Sequence, residues 1–318
     1  MAKIVRHLRD GQMEFQKVFS KLCNTKSAWQ AWSDFVEMTA IAISNRFEIR
    51  ENVKKDREQR YLDIIRQYGK SEQQLFPELL GILVMVLERE PEQDFLGEMF
   101  MALELGSHWH GQFFTPYNVC KMMSKVTTSN AKDRLTEDLQ KRGWVGIHDP
   151  ACGAGATLIA TRNALELDGI GGTQAFFVGQ DIDRTAAMMC YIQLSLLGCA
   201  GYVVIADTLI HPVTGPMLWP NLTEHQDAWF MPLNFTDPTW VLRLSRTWRG
   251  LDECTGCHEI ATESQEVAEK VPEVETKIQE VEIPEPKPAA DPPEIAAEKQ
   301  QEPEIPLMET EIGQLTLF

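Results

Sequence analysis

Apolar residues recur at helical spacing through the first hundred positions. Trp29, Trp32, Phe35, Val36 and Ile43 fall on one face behind a capping residue at Thr25 or Ser27, and Leu79, Leu83, Val86 and Leu87 repeat the arrangement. This predicts a helical N-terminal domain over residues 1–105, with the stripes as its core. The period then changes. Short β-type runs at Trp144–Ile147, Phe176–Gly179 and Val203–Ile205 alternate with helical stretches, of which Met188–Leu197, closed by Gly198, is the clearest. Such alternation predicts an α/β domain over residues 106–250, with a parallel sheet and crossover helices. From about residue 258 the chain is rich in Glu, Pro, Ala, Lys and Gln and nearly free of aromatics. It buries too little apolar surface to offset its ordering entropy, so residues 251–318 are expected to form an acidic, disordered tail.

Charge sharpens that division. Of a net −17 over 318 residues, positions 252–318 carry 18 acidic residues and 4 lysines, a net −14. The body is close to neutral, so the acidic total does not argue against a nucleic-acid partner. Its basic clusters, Arg46–Arg60 and Lys121–Lys141, read as solvated helix faces. Met1–Arg6 lacks a secretory apolar core, and Leu79–Leu87 is too short to span a bilayer. With seven cysteines expected as reduced thiols, a cytoplasmic location without a membrane partner follows. Cys254-Thr-Gly-Cys257-His258 has the spacing of a haem attachment site, but that chemistry requires export. No second Cys/His pair stands at zinc-finger spacing, so coincidence is the preferred reading and no metal is expected.

The chemistry concentrates in His148-Asp149-Pro150-Ala151-Cys152-Gly153-Ala154-Gly155, between a strand and a helix. Two glycines there allow backbone N–H groups to approach a ligand and aim a helix N-terminus at negative charge. Asp181 stands just after the second predicted strand, where a carboxylate can accept two ribose hydroxyls, and Asp207 follows the third. Upstream lies Gly111-Gln112-Phe113-Phe114-Thr115-Pro116. In order and spacing these four blocks, spanning residues 105–210, resemble the N6-adenine DNA methyltransferases, in particular the modification subunits of restriction systems. The resemblance implies a Rossmann-like class I methyltransferase sheet, S-adenosylmethionine as cofactor and DNA as substrate. A specificity or nuclease subunit would be a further partner. It places Phe114, Thr115, Asp149, Ala151, Gly153, Gly155, Asp181 and Asp207 around the cofactor. Phe113 or Phe114 would provide apolar contact, Thr115 a hydroxyl, the backbone near Asp149, Ala151 and Gly153 donors for the cofactor carboxylate, and Asp207 a contact to its adenine amino group.

Two features depart from that family. Its acceptor loop, Asn/Asp-Pro-Pro-aromatic, holds the target amine and stacks the flipped base. About twenty residues after Asp207 the chain instead reads Asp227-Ala-Trp-Phe-Met-Pro-Leu-Asn-Phe235, and Asp291-Pro-Pro-Glu294 in the tail lacks the aromatic residue. Trp229, Phe230 and Asn234 are the substitutes available for stacking and hydrogen bonding; the alternative is that Trp219, Trp229, Phe230, Phe235, Trp240 and Trp248 cap a short sheet. The family also continues through three or four more strands, whereas the foldable sequence here ends near Gly250, so the sheet is expected to be truncated. Two functions follow: DNA adenine methylation, or a non-catalytic cofactor-binding accessory role. Finally, Gln314-Leu-Thr-Leu-Phe318 resembles the pentapeptide by which bacterial polymerases and repair proteins dock on the replication sliding clamp. Leu315, Leu317 and Phe318 would fill apolar pockets and Gln314 would fix orientation.

Overall fold

A computed structural model describes residues 9–105 and 114–248. The Gly111–Phe113 block, the Cys254/Cys257 pair and the pentapeptide residues Gln314, Leu315, Leu317 and Phe318 lie outside the described residues. The chain separates into two units, Met1–Glu263 and Ser264–Phe318, and the first holds every described residue.

The N-terminal part is helical, as its periodicity predicts: α1 (Asp10–Leu22), α2 (Ala28–Ser44), α3 (Glu51–Ile65), α4 (Lys70–Gln73), α5 (Leu75–Arg89) and α6 (Phe95–Ala102). Ser27, one of the two capping candidates, accepts the Gln30 N–H at 3.2 Å and starts α2. Phe15, Phe19, Trp32, Phe35, Phe95 and Phe100 are fully buried. Most of their rings meet edge to face, with Phe15 and Phe35 centroids 5.5 Å apart, while Phe15 and Phe19 stack. Trp29 departs from the expected stripe. It is 44% exposed and covers the flank of Phe100.

The second part runs α7 (Tyr117–Asn130), α8 (Lys132–Arg142), β1 (Val145–Asp149), α9 (Ala156–Leu167), β2 (Ala175–Asp181), α10 (Arg184–Leu196), β3 (Ala200–Ile205), β4 (Asp227–Phe230), α11 (Leu233–Thr236) and α12 (Pro238–Trp248). The sheet order is β1-β2-β3-β4; the first three strands are parallel, as expected, and β4 is antiparallel to β3. β2 is buried on both faces until Asp181, the signature of a central parallel strand. The first face carries Val145, Phe177, Val203 and Trp229 in the same core as the N-terminal aromatics, so helices and sheet bury one continuous interior across residue 105. The second face carries Phe176, Val178, Tyr202 and Val204, roofed by Leu218 and Trp240. No described helix is long and apolar enough to cross a membrane.

Two devices fix β4 beside β3. Gly201, at φ +145°, has no room for a Cβ, which would fall on the Phe177 carbonyl. Its N–H donates to Asn234 Oδ1 and its carbonyl accepts from Asn234 Nδ2, both at 2.8 Å. From the other side, buried Arg57 of α3 donates to Asp227 and the Ala228 carbonyl at 3.1 Å and lies 3.5 Å above the Trp229 ring. Trp229 and Phe230 therefore pack against Tyr191 and Tyr202, whereas Trp219, another of the rings expected to cap the sheet, is 44% exposed.

Candidate functional site

The three parallel strands end on one side, and the loops that follow them converge there. The loop after β1 turns through Gly153, at φ +53°, and Gly155, at φ +95°, left-handed conformations that glycine adopts without strain. Gly155 caps α9 beside Cys190, which would meet a Cβ at 2.9 Å. A Cβ on Gly153 would meet the Phe114 ring at 3.1 Å. Phe114 thus lies on the loop, wedged against Phe100 with centroids 5.3 Å apart. Thr115, next in the chain, is exposed.

Asp181 organises the site. Its Oδ2 accepts the Gly153 N–H at 2.8 Å and its Oδ1 the Asp183 N–H at 2.9 Å. Each oxygen keeps a second lone pair, enough to accept a vicinal diol. Burial pushes this carboxyl above the ordinary aspartate range, against the lowering effect of its two backbone hydrogen bonds. Asp207 occupies the turn after β3, where Oδ1 accepts the Leu209 and Ile210 N–H groups at 2.8 and 3.3 Å. Thr208 reaches across to the Pro150 carbonyl at 2.5 Å, joining the outer two loops over the end of β2. Ile182, Leu209 and Ile210 are exposed around this rim.

The backbone donors expected near Asp149, Ala151 and Gly153 are engaged within the chain. The Ala151, Cys152 and Gly153 N–H groups are consumed inside the chain by Asp149 Oδ1 at 3.1 Å, the Gln180 carbonyl at 3.0 Å and Asp181 Oδ2. Ala151 and Gly153 therefore shape the loop. The N–H groups without a partner among the described residues of this loop belong to Ala154 and the first turn of α9, at Ala156, Thr157 and Leu158. They carry the positive end of the helix dipole and suit a carboxylate.

Residues that the motifs did not reveal hold the loops in place. Gln193 of α10 donates to the Ala154 carbonyl at 2.9 Å and to Asp94 at 2.8 Å, and its own Oε1 accepts the Leu96 N–H at 3.0 Å. This buried amide ties the β1 loop to the start of α6. Gln180 does the same for the β3 loop, donating to the His211 carbonyl at 2.8 Å and accepting the Val213 N–H at 3.2 Å. Polar residues inside predicted core elements were the only sequence signal for either.

The three acceptor candidates are not gathered at this site. Asn234 spends its amide on Gly201, Trp229 is 1% exposed beneath Arg57, and Phe230 packs on Tyr202 with centroids 5.3 Å apart. A base-stacking ring needs a free face, and an acceptor amide a free oxygen. Trp229 and Asn234 have neither in this structure. Among the described residues no cluster of His, Cys, Asp or Glu is arranged to hold a metal ion.

No curated protein is significantly similar to this sequence. A solved structure described as a class I S-adenosylmethionine-dependent methyltransferase from Listeria monocytogenes is 19% identical, with a TM-score of 0.38 over 66% of this chain. The chain covers 58% of that protein. Residues 94–227, from the cap of α6 to the first residue of β4, match the family model of the N-6 DNA methylases, a methyltransferase domain whose cofactor is S-adenosylmethionine.

Proposed function

We propose that residues 106–250 form the cofactor half of an S-adenosylmethionine-dependent DNA adenine-N6 methyltransferase of the restriction-modification or mobile-element type, preceded by a helical domain at 1–105 and followed by a tail at 251–318. The observation that carries this reading is the carboxylate of Asp181, oriented by the Gly153 and Asp183 N–H groups with lone pairs still free for ribose hydroxyls. The α9 N-terminus would take the cofactor carboxylate, Phe114 would close over Gly153, and Asp207 Oδ2 would face the adenine amino group. When bound, S-adenosylmethionine supplies an electrophilic methyl group for transfer to an exocyclic amine. The chain's part is to hold and orient it and to exclude water.

A second reading has its own support. With Trp229 and Asn234 used in packing, the described residues offer no acceptor loop, which favours a cofactor-binding accessory protein tethered to the sliding clamp through Gln314, Leu315, Leu317 and Phe318. Transfer of labelled methyl to unmodified adenine-containing DNA separates the two. Transfer is expected if the chain, alone or with a specificity or nuclease subunit, is the enzyme. Cofactor binding without transfer in either setting would leave the accessory reading. Deleting residues 314–318 is expected to abolish binding to purified clamp, and unchanged binding would remove the clamp from the account.

A further inference from the structure

The layer of helices on the first sheet face is wider than the sheet beneath it. α9 packs on β1 and β2, α10 packs on β2 and β3, and α2 packs on α10. On the opposite flank of α9 lies α7, joined to it by Ser124 Oγ to Thr161 Oγ1 at 3.0 Å and by Asn163 Nδ2 to the Tyr117 hydroxyl at 2.9 Å. α7 therefore lies beyond β1, where no described strand continues the sheet.

At that margin α8 touches both α7 and β1, but the outer side of α7 and the outer edge of β1 stay uncovered by described residues. Val145 N–H donates to the Gln174 carbonyl, so the alternate groups of Gly146 and His148 point away from β2, and no described residue pairs with them. The edge strand carries neither Lys nor Pro nor a bulge. α7 turns Tyr117, Cys120, Ser124 and Thr128 inward and exposes Val119 (42%), Met122 (62%), Met123 (47%) and Val126 (56%). At about 100° per residue these four form one stripe, on the side away from α9. An apolar stripe on the outer side of a helix and an unguarded strand edge thus face the same way.

We infer that this margin takes β-strands from a different polypeptide, the first pairing with the β1 edge and its apolar side chains packing against α7. A second copy of this chain does not fit. Strands lie about 4.8 Å apart and packed helices about 8–10 Å. One overhanging helix therefore roofs about two strand positions, and in a second copy joined edge to edge those positions are already roofed by its own α9. The occupant must bring strands that are bare on this face. This margin would take strands whatever reaction the β1 loop serves. If the function proposed above holds, the added strands would also place their loops beside the β1 loop, where the described residues offer no acceptor groups.

The test uses the full chain with a benzophenone cross-linking amino acid in place of Met122, expressed in its native host. The cross-linked protein is identified, purified and mixed with the unmodified chain, and hydrogen exchange is followed at the Gly146 and His148 amides. The chain alone should be monomeric with both amides exchanging freely; the partner should slow them about tenfold or more, and Met122→Glu and Val126→Glu should each weaken its binding about tenfold or more. S-adenosylmethionine affinity should be unchanged in both variants, which keeps this outcome separate from failure of the methyltransferase reading. A dimer of the chain alone with protected amides would put a second copy at the margin. Protected amides in the monomer would mean that the chain covers its own edge. Absence of a cross-link, or a cross-linked protein that leaves exchange unchanged, would equally overturn the inference.

Discussion

The glycines and aspartates of the β1 and β2 loops were legible as chemistry because each stands directly after a strand, where side chains and turns face a ligand. Their placement gives a specific expectation for Gly153. Its left-handed backbone and the Phe114 ring 3.1 Å from a hypothetical Cβ make Gly153→Ala doubly unfavourable. Strain of about 1–2 kcal/mol in the loop should weaken S-adenosylmethionine binding on the order of tenfold in an equilibrium titration. Phe114→Leu in the same chain should recover part of that loss by making room; unaltered affinity in the single variant would show that the loop does not touch the cofactor. Asn234 was legible only as an amide with a donor and an acceptor. Such a group suits a target amine and the peptide of Gly201 equally well, and nothing local distinguishes them. Asn234→Ala should leave both Gly201 groups unpaired in the interior and cost about 2–4 kcal/mol, read as a lower denaturant midpoint. A variant as stable as the parent would mean that β4 is held by other contacts.

Among the elements, α2, α5, α10 and the three parallel strands follow the hydrophobic periods closely, because each buries one stripe or one continuous run. The short pieces α4, α11 and β4 do not, since a four-residue element has no period to read and depends on its neighbours, as β4 does on Arg57 and Asn234. The α6 cap shows how an element can carry a pH dependence. Asp94 accepts the Gly97 N–H at 2.9 Å and the Gln193 amide at 2.8 Å, and burial pushes its carboxyl up to about 6, against those two hydrogen bonds. A carboxyl raised above its unfolded value adds stability that is fully present below the ordinary aspartate range, near pH 4, and is lost as pH rises through about 6. Denaturation measured between pH 4 and 7 should therefore show the parent losing on the order of 2–3 kcal/mol relative to Asp94→Asn. Parallel pH profiles would show that Asp94 does not titrate in this window.

Across the whole molecule, the sequence conveyed the class of fold and the end of the sheet at which the loops converge. It did not convey the shared interior. Phe15 and Phe95 of the helices belong to the same buried cluster as Val203 and Trp229 of the sheet, and pairing across more than a hundred residues leaves no periodic trace. Nor did it reveal that Gln193 and Gln180 anchor the two outer loops, since an amide in an apolar helix or strand does not declare its partner. Among the described residues β1, the strand that leads into the glycine loop, is also an edge of the sheet. On the function proposed above, the loops after β1, β2 and β3 form a pocket for S-adenosylmethionine centred on Asp181. Calorimetric titration of the full chain with S-adenosylmethionine tests it most directly. One site per chain is predicted, with affinity lowered about tenfold or more in Asp181→Ala. A chain that binds no S-adenosylmethionine, or an Asp181→Ala variant that binds it as tightly as the parent, would contradict the account.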